Sequence, residues 1–552
     1  MNSRRTSLTK REWLAAAVLL AFWALAYLPN LRTNPNWYGD EGEWMEKSWT
    51  FIHGTPRAGP IVIDFVFPYP YPPLYMLING ALLRVFGEDI VVGRALGAVT
   101  ALGAGALLFW IGARLRDKKF GFLCAAAFLV YSEANVNFRW VRSHPMAGTF
   151  ALASVGFLVR YVQEKRLRDA VGAGVFCSLA TATNYFTYPL IGGVVATVAV
   201  VHWREWKSPR AWRDVIIAGG TACAYAGLFV LWYCAAHGWG QLMTQVGRLT
   251  SVASNEARPT FSGEVGRFIE NVWNLGFKTP TQGPPMPWSG HDWWLTVATI
   301  GFVFLPTRDW RMRLWVPFWL LVLMYGVFKK LNNVPMFFYP ATIFLPLMAV
   351  GFAGVLTWAG ELAKRLALQS GEAAATTIAV AVLALFGWQS VDGAWGHFQT
   401  RIDMWAQQSV ADAEAAMTFV NAHTTKDDFV ILPKQIYWLA RCDRRSMLTF
   451  CARYEGIDND MPVPGHIPRE LFWFDCRLEQ AKFLVLEYSL KEQILPDGRR
   501  AQLPIGIDAV YTIGLRGVRE VLSRTQTENW PPVFQRGAYI VLANPRFVKE
   551  TK

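Results

Sequence analysis

Apolar residues come in long blocks along this chain rather than in narrow stripes. Mainly apolar stretches run over 12–29, 92–113, 120–135, 144–162, 170–186, 187–203, 214–236, 293–306, 314–328, 336–358 and 374–394. A block of ~20 such residues crosses the hydrocarbon layer as a helix, so the pattern predicts a polytopic α-helical membrane protein with about eleven spans. The tract 170–203 is continuous and must be divided; Asn184, Pro189 and Gly192-Gly193 mark a turn.

The pattern changes near residue 396. Charged positions become frequent and apolar runs shrink to strand length. Met404 to Ala422 reads as an amphipathic helix, and Leu515 to Arg524 as another. Residues 429–433, 482–487 and 538–542 read as buried strands. Strands interleaved with helices predict a small α/β domain. The expected organisation is a membrane domain over 1–395 and an α/β domain over 396–552.

Two segments between the spans are long. The first, 30–90, contains Trp37-Tyr-Gly-Asp-Glu-Gly-Glu-Trp and, further on, Pro68-Tyr-Pro-Tyr-Pro-Pro-Leu-Tyr75. Asp40 to Ile52 predicts a helix on the membrane surface, stopped by Gly54. The prolines predict extended chain, then a short helix starting near Pro73. The second long segment, 237–292, is rich in Gly, Pro, Trp and Arg.

Charge adds orientation. The 552 residues carry 54 Lys plus Arg against 41 Asp plus Glu, a balance of +13, while hydrophobic residues make up 53%. Such a composition excludes disorder and argues against a wholly soluble enzyme. The basic residues cluster in alternate loops: Arg4, Arg5, Lys10 and Arg11; Arg114, Arg116, Lys118 and Lys119; Arg160, Lys165, Arg166 and Arg168; Arg204, Lys207, Arg210 and Arg213; Arg308, Arg311 and Arg313; Lys364 and Arg365. Basic loops stay in the cytoplasm. The N-terminus is therefore expected inside, and the α/β domain outside, a plasma membrane of bacterial type. With no basic stripe on a folded domain, no nucleic-acid partner is expected. Ser3-Arg4-Arg5 loosely resembles a twin-arginine signal but reads better as the basic flank of an uncleaved first span. Any two of Cys442, Cys451 and Cys476 are open to pairing outside the cytoplasm.

Asp40 and Glu41 stand at the outer end of the first span among Trp37, Tyr38 and Trp44. A carboxylate there serves either as a proton acceptor or as a helix cap, with Glu43 completing a capping-box-like spacing. The ordered set Asp40-Glu41-Gly42, Gly54, Pro72-Pro73-Leu74-Tyr75 and Arg94 resembles the GT-C membrane glycosyltransferases, in particular the protein O-mannosyltransferase-like and aminoarabinose-transferase-like enzymes. It covers the first 200 residues well and the rest more loosely. The resemblance implies the GT-C fold and an inverting transfer of a hexosyl or pentosyl group. The sugar passes from a polyprenyl-phosphate carrier to an extracytoplasmic protein, lipid or envelope glycan. Asp40 is the catalytic carboxylate in that scheme, with Glu41 beside it.

A departing lipid phosphate needs cations. Arg139 and Arg142 in one short external turn, and Lys329 and Lys330 in another, are the donor-phosphate candidates; each pair reads alternatively as interfacial snorkelling residues. Arg248, Arg258 and Arg267 form a weaker third group. Tyr71, Tyr75, His144 and Tyr339 are the candidate substrate-binding residues. In the aminoarabinose branch a Lys precedes the Pro-Pro where this chain has Tyr71, and another branch has a Lys in the fifth span where this chain has Asn184-Tyr185, so neither branch is selected. No cofactor or dedicated metal site is expected. The competing readings are a transporter or flippase for a lipid-linked sugar, which calls for paired repeats and ionisable residues at mid-membrane that the chain does not clearly show, and a non-catalytic scaffold, which gives no reason for Asp40-Glu41 beside a proline-rich loop.

Overall fold

The computed structural model describes residues 9–37, 39–53, 72–240, 242–243, 261–278, 292–328, 339–366, 371–396, 398, 409–446, 478–487, 489–494, 500–505 and 524–547. It is a large helical bundle with a small mixed sheet at one end. In chain order the helices are α1 Lys10–Tyr27, α2 Gly39–His53, α3 Leu74–Phe86, α4 Ile90–Leu115, α5 Lys118–Leu129, α6 Ser132–Arg139, α7 Ser143–Glu164 and α8 Leu167–Thr183. They continue with α9 Pro189–Val201, α10 Pro209–His237, α11 Phe261–Phe277, α12 Trp293–Gly301, α13 Met312–Phe328, α14 Leu345–Leu366, α15 Gly371–Trp395 and α16 Val410–Ala422.

Every apolar block lands on a helix. Among the described residues, five helical stretches are long and apolar enough to cross a membrane: Ile90–Leu115, Ser143–Glu164, Pro209–Ala235, Leu345–Arg365 and Thr376–Trp395. Others are cut short by local chemistry. The block 120–135 is divided at Val130 and Tyr131 into α5 and α6. The long tract breaks at Asn184, whose side chain accepts the Phe186 N–H, and resumes with Pro189 at the first turn of α9; the Gly192-Gly193 pair lies inside that helix. Asp89 and Asp117 cap α4 and α5 by accepting the N–H groups of Val91 and Phe120. α3 ends at Gly87, whose positive φ of 95° suits a residue without a side chain.

The sheet has the order β2-β1-β3-β7-β6, with β1 Phe429–Ile431, β2 Arg444–Ser446, β3 Ala481–Glu487, β6 Pro532–Arg536 and β7 Tyr539–Ala543. β1 runs parallel to β2 and β3; β7 is antiparallel to β3 and β6. A separate hairpin joins β4 Ser489–Ile494 to β5 Arg500–Ile505. The three expected strands are present. β2, β6 and the hairpin carry too few apolar positions to announce themselves. The amphipathic helix is described from Val410 on; residues 404–408 and 515–523 lie outside the described residues.

Among the described residues, the α/β part shares a buried core with the helices. One buried cluster unites Trp37, Trp44, Met45, Tyr75, Met76, Ile90 and Val141 with Met417, Ile431, Ile436, Trp438, Leu484 and Tyr539. Trp37 meets Trp438 edge to face, ring centres 5.0 Å apart. Arg32 bonds Glu414 at 2.7 Å, pairs with Asp89, and lies over the Trp438 ring. Residues between α1 and α4 thus pack with residues beyond 396. Cys442 is a buried free thiol, while Cys451 and Cys476 lie outside the described residues.

Candidate active site

The site is organised by one buried arginine. Arg94, in the first turns of α4, has no exposed side-chain surface. Its Nε and Nη2 donate to Glu41 Oε1 and Oε2 at 2.9 and 2.7 Å. Nη1 donates to the carbonyls of Leu31 and Pro35 at 3.0 and 2.8 Å, and Nη2 also to that of Asn36 at 3.3 Å. A guanidinium has five N–H donors in a fixed fork, and five bonds are made here. They fix the strand of chain that leaves α1 and the first turn of α2 at once.

Glu41 is correspondingly enclosed. Its Oε1 also accepts the Val141 N–H at 3.0 Å, and its side chain has no exposed surface. A carboxylate so engaged anchors α2.

Asp40 is different. α2 begins at Gly39, so Asp40 lies inside the first turn rather than at the cap. Its side chain is 24% exposed, and Oδ2 lies 3.0 Å from Nη2 of Arg142, which is 1% exposed. Arg142 is the cap residue of α7 and lies 5.7 Å from the centre of the Trp140 ring. The arrangement is a reachable carboxylate held by a buried cation at the meeting point of α2 and α7.

Neighbouring residues build the walls. Tyr75 is buried on α3 and packs edge to face on Trp44, ring centres 5.5 Å apart. Burial, reinforced by the Glu41 charge, pushes its phenol far above the ordinary range, so it stays neutral. Asn79 donates to Ser48 Oγ at 3.0 Å, and Gly80 lets α3 lie directly on the Ser48 carbonyl, where any side chain would collide. His144 is buried in the first turn of α7, with Phe186 at 5.6 Å between ring centres. Asn184 Nδ2 donates to Ser143 Oγ at 2.9 Å and so ties the helix break to the α7 N-terminus.

Arg139 occupies a separate spot. It donates to the Pro29 carbonyl and lies over the Phe398 ring at 5.3 Å. Its Nε and Nη1 are buried with no hydrogen-bond partner among the described residues. Burial, then the nearby Arg94 charge, pushes it below the usual guanidinium range. Among the described residues this cation has no carboxylate partner.

Of the residues expected from sequence, Asp40, Glu41, Arg142, Tyr75 and His144 are brought together around the joins of α2, α3 and α7. Tyr71, Lys329 and Lys330 lie outside the described residues, as do Arg248 and Arg258. Tyr339 opens a short 3-10 turn, Tyr339–Ile343, that leads into α14. Arg94 belongs to the sequence motif, but the motif alone gives it no role. Its signal is an arginine inside the apolar run Ile90-Val-Val-Gly-Arg-Ala-Leu-Gly97. No group of three or more His, Cys, Asp or Glu side chains able to hold a metal occurs among the described residues.

The fold is one already seen in solved structures. Residues 71–224 match the family described as dolichyl-phosphate-mannose-protein mannosyltransferase. Among solved structures, the chain is similar to ArnT from Cupriavidus metallidurans bound to undecaprenyl phosphate, with 12% identity, a TM-score of 0.58 and 98% of each chain covered. The apo state of the same protein matches with 14% identity and a TM-score of 0.56, covering 96% of this chain and 97% of that one. At such identities the likeness is one of fold. No curated protein matches the chain by sequence.

Proposed function

We propose that this chain is an inverting glycosyltransferase that moves a sugar from a polyprenyl-phosphate carrier to an acceptor at the outer membrane face. The observation that carries the reading is the contrast within one dipeptide. Glu41 is locked away by Arg94, whereas Asp40 is exposed enough to be met and is aimed by Arg142. ArnT's undecaprenyl phosphate and the dolichyl-phosphate-mannose of the matching family's description support the class of donor.

In this reading the acceptor's O–H or N–H gives its proton to the Asp40 carboxylate as its heteroatom attacks the anomeric carbon. The bond from that carbon to the phosphate oxygen breaks on the opposite face. The electron pair leaves with the polyprenyl phosphate, and the anomeric centre inverts. Arg142 orients the carboxylate and offsets charge on the departing phosphate. Arg139 supplies to a phosphate oxygen its two buried donors that have no partner among the described residues, and Lys329 and Lys330, from the chain between α13 and α14, add charge. Tyr75, His144, Tyr71 and Tyr339 border the sugar and acceptor. The N-terminus is cytoplasmic, the α/β part is outside, and the full count is about eleven spans. Side chains of the protein carry each of these steps.

The test is a transfer assay with purified full-length protein and a panel of labelled polyprenyl-phosphate sugars. Release of polyprenyl phosphate with label passing to an added acceptor supports the reading. Carrier-dependent movement of the intact lipid-linked sugar across a vesicle, with no bond broken, contradicts it.

A further inference from the structure

The end of the bundle opposite Asp40 carries a second built feature. Arg142 caps one end of α7, and Tyr161 lies near its other end. At ~1.5 Å per residue the two are about 28 Å apart, close to the thickness of the hydrocarbon layer. Around Tyr161 lies a polar cluster with a buried centre of Tyr161, His202 and Asp214, while its outer member Glu205 is 45% exposed. Its hydroxyl is 2.7 Å from His202 Nε2 and donates to Asp214 Oδ2 at 3.0 Å. His202 Nδ1 is 2.9 Å from Glu205 Oε2, and Lys165 bonds Glu205 at 2.7 Å. Arg213 pairs with Asp214 at 2.9 Å. This cluster pins the loop between α9 and α10 onto the end of α7.

The pinning has two effects on what this end of the bundle shows outward. Glu205 and Asp214 are both engaged within the cluster, so the outward charge is that of Arg204, Lys207 and Arg210. The loop and the first turn of α10 also hold three exposed indoles, Trp203, Trp206 and Trp212. They are ordered rather than splayed. Trp206 and Trp212 meet edge to face at 4.9 Å, and Trp212 Nε1 donates to the Trp206 carbonyl at 2.9 Å. The Arg204 guanidinium lies 5.1 Å from the Trp203 ring centre.

We propose that this loop is a docking surface for the headgroups of anionic phospholipids in the leaflet that meets the α9–α10 end of the bundle. Indoles prefer the headgroup layer, and lysines and arginines beside a span attract anionic lipid. The loop runs straight into α10, an apolar helix with little of its length covered by the rest of the bundle. Lipid therefore reaches the indoles and the charges together. The surface is independent of the chemistry at Asp40 and lies a membrane's thickness away from it.

The experiment is equilibrium binding of fluorescent phosphatidylglycerol and, in parallel, fluorescent phosphatidylcholine to the full-length protein in non-ionic detergent. The wild type should prefer phosphatidylglycerol. The double variant Arg204→Gln/Lys207→Gln should lose about tenfold in affinity for it, with phosphatidylcholine binding unchanged. These two side chains are exposed and outside the buried cluster, so an unchanged unfolding midpoint without lipid is expected. A Trp203→Ala variant should weaken both lipids. Equal affinity of the wild type for the two lipids, or full phosphatidylglycerol affinity in the double variant, overturns the proposal.

Discussion

Arg94 and Glu41 form a two-pronged ion pair, 2.9 and 2.7 Å, in which neither side chain reaches solvent. The pair sits directly behind Asp40 in the chain. It sets the direction in which the first turn of α2 leaves the chain that follows α1, and with it the direction of the Asp40 carboxylate.

Breaking that pair from either side leaves a buried charge without its counterion. Such losses cost about 3–5 kcal/mol. Glu41→Gln and Arg94→Met should each lower the thermal unfolding midpoint of the purified protein markedly. A Glu41→Gln protein as stable as wild type would show that the pair is not the anchor described.

The α/β part holds α2 from the other side through Trp37 and Trp438. Truncating a large buried aromatic costs about 3–5 kcal/mol. Trp438→Ala should therefore destabilise the protein and reduce transfer, whereas Trp438→Phe should restore much of both. The pair of measurements is unfolding midpoint and kcat for each variant. Equal stability of Trp438→Ala and wild type would remove the shared core as a source of alignment.

Cys442 offers a probe of that same core. Burial pushes its thiol from 9.0 up to about 11. The unfolded chain releases this proton first, so the thiol's contribution to stability is intact below about pH 9 and lost as pH rises through about 11. At pH 8 the folded protein should resist alkylation at Cys442, and denaturant should release it, as read by mass spectrometry of the labelled peptide. Rapid labelling of the folded protein would contradict the burial.

The two arginines of the α6–α7 turn should differ. Arg139→Ala removes the candidate phosphate partner, and a charge-assisted bond of ~1.5–3 kcal/mol corresponds to more than tenfold in donor KM or Kd. Arg142→Lys keeps charge but loses the fork that aims Asp40, so kcat should fall more than donor affinity. Donor titrations of both variants separate the roles. Unchanged donor kinetics in Arg139→Ala would return it to a brace for Pro29 and Phe398.

Much of this is legible in the chain because the two strongest signals are local. Apolar blocks mark helices wherever they occur, and Asn184 with Pro189 marks the break that divides the longest one. The helix Gly39–His53 follows from its own alternation of aromatic and acidic residues and its stop near Gly54. What is not legible depends on distant residues. Nothing local distinguishes Asp40 from Glu41; only Arg94, more than fifty positions away, separates an anchored carboxylate from a reachable one. The shared core is of the same kind, since Trp37 and Trp438 stand some four hundred residues apart. Spacing alone groups Arg142 with Arg139, yet the linker Trp140-Val141 turns their side chains to different partners.

In the proposed reaction the Asp40 carboxylate receives the acceptor's proton. That step is tested most directly by Asp40→Asn in the full-length protein, with transfer from a labelled polyprenyl-phosphate sugar and donor binding measured on the same preparation. Transfer should fall by at least ~10²-fold, as expected for a general base, with donor binding and unfolding midpoint retained. Near-normal turnover in Asp40→Asn would contradict it.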